Sequence, residues 1–308
     1  MEQEKGYVDL ETGEKISREQ MRLQLTAENE SIKQEQKEGY LKALDVARNI
    51  HEDKRKFLKY SRGIASELTD LTLTDCSVLL RLSMHLYYNG GGLIKSNTAY
   101  DSNDKNALTV VDMSKITGKS RRGLIQILNR LADVEAISIT KQDKQRAAYR
   151  INERFIACGT GMDMNKNHVK LYVTKTKKLI KKIPNQKQHQ YIDMLTDTEA
   201  GILFKLLPYV HERNYMLCSN PTEKDTKKIA YMSVQELADA VGIKYKSFTN
   251  SMRGLVKKSV LGKFYCGITV NRGAAYVLNP KIVDCGYHMN KELGGQISEL
   301  FEATENVA

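Results

Sequence analysis

Residues 109–118 read Thr109-Val110-Val111-Asp112-Met113-Ser114-Lys115-Ile116-Thr117-Gly118, and a later stretch matches them at low identity: Ser233-Val234-Gln235-Glu236-Leu237-Ala238-Asp239-Ala240-Val241-Gly242. The apolar spacing of the first stretch predicts a short helix over about 110–116. Gly118 predicts where that helix ends, because glycine readily takes the left-handed conformation that follows a helix. The match predicts the same helix and the same stop at 234–242, so one structural unit is expected to occur twice.

A further helix is predicted directly after each glycine. Ser120 is a good N-cap for the first of these helices, and Leu124, Ile127, Leu128 and Leu131 fall on one face of it. The second is expected over 245–258. Two helices joined by a glycine-containing turn have the spacing of a helix-turn-helix.

A β-hairpin is predicted after each helix-turn-helix. Residues 136–140 alternate like a strand, 141–146 read as a polar turn, and 148–152 read as a returning strand. In the second copy, strands at 264–270 and 276–278 flank a turn at 271–273. A helix-turn-helix followed by a basic hairpin is a winged helix.

Landmarks outside these stretches keep their order in both copies. The matches are Leu73-Thr74-Asp75 with Leu195-Thr196-Asp197, Ala147-Ala148-Tyr149 with Ala274-Ala275-Tyr276, and Cys158-Gly159 with Cys285-Gly286, at separations of 122 to 127 residues. We expect Thr74 or Asp75 to cap a first helix that runs to about Tyr88, and a counterpart over 196–210. The predicted fold class is mainly α with small β wings (α+β), built from tandem winged helix-turn-helix domains at 67–159 and 193–288. A hairpin and charged helical arm at 1–66, a basic bridge at 160–192 and a tail at 289–308 complete the chain.

Positive charge is concentrated between the two copies. The chain has 48 Lys and Arg residues against 37 Asp and Glu, a formal net charge of +11. Residues 160–192 hold one acid and eight lysines: Lys166, Lys170, Lys175, Lys177, Lys178, Lys181, Lys182 and Lys187. Such a cluster suits a polyanion, because ammonium groups that bind phosphates release counterions. A solvated linker is the alternative interpretation.

The third helices are the candidates for reading bases, because the N-terminal part of this helix meets the major groove in a helix-turn-helix. Arg pairs with guanine, Gln and Asn pair with adenine, and Ser and Lys suit phosphates. The candidates are Lys119, Ser120, Arg121, Arg122, Gln126, Asn129 and Arg130 in the first copy, and Lys244, Tyr245, Lys246, Ser247, Asn250 and Arg253 in the second. Candidate phosphate or minor-groove contacts are Lys141, Lys144, Arg146, Asn271 and Arg272 in the wings, with Lys177, Lys178, Lys181 and Lys182 in the bridge. The alternative is an ordinary solvated helix face.

Signals of catalysis, metal binding and membrane insertion are not found in the sequence. The six histidines form no HxH or HExxH motif, and the five cysteines have no CxxC spacing. Gly90-Gly91-Gly92 is not followed by the lysine of a phosphate-binding loop. No run of 18 apolar residues occurs, and Met1–Lys5 carries no apolar signal region. The expectation is a cytoplasmic protein without enzymatic activity, cofactor, metal or membrane partner.

The end of each copy resembles a known family. Tyr149-Arg150-Ile151-Asn152 and Tyr276-Val277-Leu278-Asn279-Pro280, each followed by Cys-Gly, are similar to the wing end of the winged-helix replication proteins of Firmicute plasmids, the RepL type. Leu206-Leu207-Pro208-Tyr209, Asn214 and Cys218-Ser219-Asn220-Pro221-Thr222-Glu223 are similar to plasmid and phage relatives. The resemblance spans roughly 70–288 and implies an initiator or regulator of a mobile element, with no catalytic residues. The chain departs from the family in its tandem copies and its charged arm.

The leading hypothesis is sequence-specific binding of double-stranded DNA by the two winged helices, on a bipartite site with half-sites about 10 base pairs apart. The expected role is initiation of phage or plasmid replication, with a helicase or its loader docking on the N-terminal arm. A coiled-coil homodimer through that arm is a further option. The alternatives are a transcriptional regulator (repressor) of the same element and a winged-helix adaptor that binds only protein.

Overall fold

The structure is a computed structural model, and it describes residues 7–8, 15–16, 19, 22, 26–27, 29–39, 56–88, 90–95, 107–142, 146–159, 168–180, 194–265, 274–285, 296–297 and 299–301. The chain forms two compact units, Met1–Lys54 and Arg55–Ala308. In the first unit, β1 (Tyr7–Val8) pairs antiparallel with β2 (Lys15–Ile16), which confirms the predicted N-terminal hairpin. Residues 29–39 are helical and exposed.

The second unit is a mixed α+β fold with small sheets, and its elements occur in the same order twice apart from one additional helix in the second half. The first half (57–159) contains β3 (Phe57–Ser61), α1 (Leu73–Ser83), α2 (Val110–Thr117), α3 (Arg121–Asp133), β4 (Ile137–Gln142), β5 (Arg146–Ile151) and β6 (Ile156–Ala157). The second half (168–285) contains β7 (His168–Tyr172), α4 (Val173–Ile180), α5 (Asp197–Leu206), α6 (Val234–Val241), α7 (Tyr245–Lys257), β8 (Leu261–Tyr265), β9 (Ala274–Leu278) and β10 (Val283–Asp284). Among the described residues, helix α4 has no counterpart in the first half, so α5, α6 and α7 are the first, second and third helices that correspond to α1, α2 and α3. The first and second helices of each half begin in the same way. Each starts with a capping box, in which a Thr or Ser side chain and an acid three residues later satisfy each other's backbone N–H groups.

The capping boxes correct one prediction. The N-cap of α1 is Thr72, and neither Thr74 nor Asp75 caps the helix. Asp75 is instead the third helical residue and accepts a hydrogen bond from the Thr72 N–H at 3.1 Å. Thr74 could not form such a box, since Ser77 rather than an acid lies three residues beyond it. Helix α1 also ends earlier than expected, at Ser83 rather than near Tyr88.

The predicted turns between the second and third helices are confirmed. Gly118 (φ +66°) and Gly242 (φ +79°) end α2 and α6 in the left-handed conformation. Ser120 caps α3 and accepts a hydrogen bond from the Gly123 N–H at 3.2 Å. The predicted apolar faces of α3 and α7 are buried, with Leu124 and Phe248 at equivalent positions. Each pair of helices therefore has the local geometry that the sequence predicted.

A short hairpin follows each third helix, β4 with β5 and β8 with β9. An asparagine holds the beginning and the end of each hairpin together. The Asn152 amide donates to the Glu135 carbonyl at 3.1 Å, and the Asn279 amide donates to the Ser259 carbonyl at 2.8 Å. Glu135 and Ser259 both have positive φ. The repeated Tyr-x-Ile/Leu-Asn motif thus has a structural reason in the turn that enters each hairpin.

The two halves meet in a four-stranded sheet of order β10-β7-β3-β6. Lys59 lies opposite Ala157 on β6, and Lys170 lies opposite Asp284 on β10, so Lys59 and Lys170 occupy equivalent positions in the two halves. They also lie opposite each other where β3 and β7 pair antiparallel. Equivalent residues can face each other in this way only if a local two-fold axis passes between them. The sheet therefore relates its two strand pairs, β3 with β6 and β7 with β10, by a local pseudo-two-fold rotation.

The first helices of the two halves pack against each other under this sheet. Helices α1 and α5 make the most extensive helix–helix contact in the unit, and one apolar core joins both halves. The two backbones come so close that a Cβ on Gly201 would lie 2.2 Å from the Leu73 carbonyl oxygen. Glycine is required at this crossing because no side chain fits there. None of the described helices is long and apolar enough to cross a membrane.

We predict that Gly201→Ala lowers the free energy of unfolding by about 1–3 kcal/mol, because the added methyl forces α1 and α5 apart. The sign of this change is informative, because replacing glycine by alanine at an unobstructed helix position would instead raise the free energy of unfolding by about 1 kcal/mol. Urea denaturation measures the change. Gly63→Ala is the control, because its Cβ would meet only the Ser61 hydroxyl at 3.7 Å. A Gly201→Ala variant as stable as this control would show that the crossing is not tight.

A second prediction concerns His168, which is 6% exposed at the start of β7. Burial lowers its pKa from 6.5 to about 4, the charges of Lys59, Lys170 and Arg62 act in the same direction, and Asp284 opposes them. As the pH falls below about 6.5, His168 becomes protonated in the unfolded chain, but in the folded chain it stays neutral until the pH approaches about 4. Stability is therefore complete above about pH 7 and decreases as the pH falls from 6.5 through 4, by up to about 3 kcal/mol from this group.

Chemical denaturation between pH 4 and 8 measures this dependence. His168→Gln should flatten it in part, with His85, whose pKa burial also lowers to about 4, supplying a remaining part. A His168→Gln profile parallel to that of the unmodified protein at every pH would refute the assignment.

Candidate nucleic-acid interface

The outward face of α3 carries a compact group of polar side chains. Arg121, Arg122, Gln126 and Asn129 are all exposed, and they recur at intervals that place them on one side of the helix. The opposite side is buried in the core of the first half. The helix therefore presents two guanidinium groups and two carboxamides together, which are the groups best suited to hydrogen-bond the edges of purines.

Helix α7 presents the equivalent face in the second half. Alignment of the two halves through Gly118 and Gly242 pairs each α3 residue with the α7 residue 124 positions later. The exposed candidates on or directly before α7 are Lys244, Tyr245, Lys246, Ser247, Asn250 and Arg253. A basic residue is kept at Arg122 and Lys246, and a carboxamide at Gln126 and Asn250. Arg121 is replaced by Tyr245, so the two faces share a pattern but are not identical.

Two of the predicted contact residues are instead engaged in internal ion pairs. The Lys119 ammonium group is half-buried and lies 2.8 Å from the Asp197 carboxylate, which belongs to the other half. The Arg130 guanidinium group binds both carboxylate oxygens of Asp75, at 2.6 and 3.2 Å. Lys119 precedes α3 and is bound by an acid of α5, whereas Arg130 is exposed on α3 and is bound by an acid of α1. Ser120 is exposed, and its hydroxyl caps α3.

The wing and bridge candidates are only partly covered by the described residues. Lys144, Lys181, Lys182, Asn271 and Arg272 lie outside them. Lys141 lies on β4 and Arg146 on β5, near the tip of the first hairpin. In α4, Lys178 is exposed and Lys177 is half-buried.

The segment predicted as a bridge contributes a strand and a helix to the folded unit. Strand β7 lies in the middle of the sheet, and the Lys170 ammonium group lies 3.3 Å from the Asp284 carboxylate. At the start of α4, Lys175 lines a pocket of about 220 Å³ together with Lys56 and Lys281. None of the described residues that line this pocket is acidic. Of the bridge lysines that the structure describes, Lys175 and Lys178 are therefore exposed on a folded helix, α4.

Sequence reasoning missed one feature of these faces. Ile125 is 45% exposed in the middle of the polar face of α3, between Arg121 and Asn129. Thr249 occupies the equivalent position on α7 and is half-buried. A residue-by-residue alignment of the third helices would have found this pair, since both side chains are β-branched and carry a methyl group.

Burial also changes the properties of the thiol groups among the described residues. Burial raises the pKa of Cys76 and Cys285 to about 12 and that of Cys218 to about 11, so these thiols stay protonated near neutral pH. Cys285 is buried and Cys158 is half-buried. Within the described part of the chain, no three His, Cys, Asp or Glu side chains form a group that could hold a metal ion. Comparisons of the chain with models of known protein families, with curated proteins and with solved structures found no match.

We predict that Arg130 and Arg122 differ in their effect on stability although they lie on the same helix. Arg130→Met leaves the buried Asp75 carboxylate without its guanidinium partner and should lower the free energy of unfolding by about 1–3 kcal/mol. Arg122→Met, at an exposed position, should change it by no more than about 0.5 kcal/mol. Urea denaturation of both variants tests the distinction, and equal losses would show that the ion pair with Asp75 does not stabilise the fold.

Proposed function

We propose that this chain is a sequence-specific double-stranded DNA-binding protein in which each half is a winged helix and α3 and α7 are the reading helices. The observation that carries the proposal is the pair of equivalent exposed faces. Each combines a basic residue, Arg122 or Lys246, with a carboxamide, Gln126 or Asn250, on a helix that follows a glycine turn. Side chains of these types hydrogen-bond purine edges in the major groove.

We infer the arrangement of the DNA site from the local pseudo-two-fold relation between the strands of the two halves. A two-fold axis puts equivalent surfaces at the same height along that axis, so α3 and α7 can approach one face of a duplex together. Successive major grooves on that face are about 10 base pairs apart. Because the two faces differ, at Arg121 and Tyr245 for example, the site should consist of two non-identical half-sites in inverted orientation. One chain suffices to bind it.

The remaining basic residues hold the DNA backbone in this proposal. Lys175 and Lys178 are exposed on α4, and Lys141 and Arg146 lie near the tip of the first hairpin. Their contacts would add affinity for any sequence and make binding depend on salt. Lys119 and Arg130 are left out of the interface because their ion pairs fix α3 to the rest of the protein.

The biological role that we propose is initiation of replication of a plasmid or phage, on the strength of the resemblance to RepL-type proteins. An initiator must also recruit a helicase or its loader, and the N-terminal arm is the candidate surface. The described part of its helix, 29–39, is exposed.

The experiment begins with selection of bound duplexes from a random pool by the full chain, followed by affinity measurements at two salt concentrations. We predict a selected site with two dissimilar inverted halves. Arg121→Ala with Arg122→Ala should weaken binding to this site by about 1–3 kcal/mol for each lost bidentate contact and relax its sequence preference. Lys115→Ala is the control, because it removes an exposed positive charge from α2 and should affect all sequences alike.

The outcomes separate the alternatives. Equal losses on selected and random DNA would remove α3 from base reading. Footprinting on the DNA of the chain's own genetic element then distinguishes the roles: unpaired bases beside a protected array indicate an initiator, and protected promoters without distortion indicate a repressor. A chain that binds no duplex at either salt concentration would be a protein-binding adaptor.

A further inference from the structure

The middle of each candidate reading face holds a methyl-bearing side chain where a hydrogen-bonding group would be expected. Ile125 is 45% exposed, although its exposed neighbours on α3 are all polar. Its position between Arg121 and Asn129 on the helix surface places it near the centre of the face. An isoleucine in such a position contributes nothing to the core, which the opposite side of α3 supplies through Leu124, Leu128 and others. Its exposed surface is therefore available to contact an apolar group of a ligand.

The second half repeats this feature independently. Thr249 aligns with Ile125, and its hydroxyl donates a hydrogen bond to the Tyr245 carbonyl of its own helix at 2.9 Å. The γ-methyl group is therefore the part of Thr249 that remains to contact a ligand. Each methyl-bearing residue is followed directly by a carboxamide residue, Gln126 in one half and Asn250 in the other. Both halves therefore carry a methyl group followed by a carboxamide, although the residue types differ between them.

The chemistry of this combination matches one base pair. In the major groove, an A·T pair presents the N6 amino group and N7 of adenine, which a carboxamide binds, and the 5-methyl group of thymine, which an apolar side chain contacts. No other pair offers an apolar group in the groove. The methyl groups of Ile125 and Thr249 would bury apolar surface against the thymine methyl group, and neither water nor a phosphate offers such a contact.

We propose that Ile125 and Thr249 are specificity-determining residues that each recognise a thymine methyl group, so that both half-sites contain an A·T pair facing the middle of the reading helix. This inference rests on the proposed function and deepens it by naming part of the sequence that is read. The carboxamides of Gln126 and Asn250 bind the adenines of the same pairs.

The test replaces single thymines in the selected duplex by deoxyuridine, which removes only the 5-methyl group. For the unmodified full chain, one such replacement in each half-site should weaken binding about fourfold, the effect of one buried methyl or methylene group. In Ile125→Ser the replacement in the first half-site should have no further effect. In Thr249→Ser, which loses one methyl group and keeps the hydroxyl, the same should hold for the second half-site.

Ile139→Ser provides a matched control. Ile139 is 39% exposed on β4 of the hairpin, so the substitution removes a similar apolar surface away from the reading helix. This variant should keep the fourfold sensitivity to deoxyuridine in both half-sites.

The failures of the two proposals give different results. Binding that stays sequence-specific and sensitive to Arg122→Ala, yet is indifferent to every deoxyuridine replacement, overturns the methyl recognition and leaves the proposed function intact. Selected half-sites that contain no A·T pair would also overturn the methyl recognition and leave the proposed function intact. A chain that selects no DNA sequence overturns both proposals. Sensitivity to deoxyuridine that persists in Ile125→Ser and Thr249→Ser assigns the methyl contacts to other residues.

Discussion

The close packing of α1 against α5 is the constraint on which the rest of the fold depends. Both helices are buried almost along their whole length, and each brings a charged residue inside, Arg81 in α1 and Lys205 in α5. A buried charge is costly unless it is hydrogen-bonded. Arg81 donates to the Leu195 carbonyl and to the Asp197 carboxylate, and Lys205 donates to the Val241 carbonyl at the end of α6. Since Leu195 and Asp197 belong to the second half, the first half depends on the second to satisfy its own core.

Ion pairs with these two buried helices hold α3 and α7 in position. The acid in each first-helix capping box also binds a base near the end of the third helix: Asp75 binds Arg130, and Glu199 binds Lys258 at 2.5 Å. The details differ in a compensating way. The residue equivalent to Arg130 is Gly254, and a Cβ there would lie only 2.0 Å from the Glu199 carboxylate. Glu199, which is longer than Asp75, thus occupies the space left by the absent side chain of Gly254. Lys258, one turn later, forms the ion pair with it.

Local signals in the sequence predicted the local structure well, and long-range contacts account for most of what was missed. Gly118 was correctly predicted to end its helix, since one residue's conformational freedom decides the outcome. The N-cap at Thr72 was equally local, and the acid three residues later, Asp75, was the signal that would have located it. The pairing of β3 with β7 could not be read in the same way, because the strands are over 100 residues apart and only their mutual pairing makes a sheet. For the same reason Lys119 was expected outside, as its partner Asp197 comes from the other half.

Two similar halves within one chain can differ from each other in sequence, whereas the subunits of a symmetric homodimer cannot. Identical subunits must present identical surfaces, whereas the halves of this chain can differ at exposed positions while the pairing of β3 with β7 keeps its local two-fold relation. The observed differences follow this rule. Leu124 and Phe248 remain apolar in the core, but Arg121 has become Tyr245 on the surface. Different exposed side chains on α3 and α7, with the supporting ion pairs kept in a changed form, fit the proposal that the two faces bind different half-sites of one ligand.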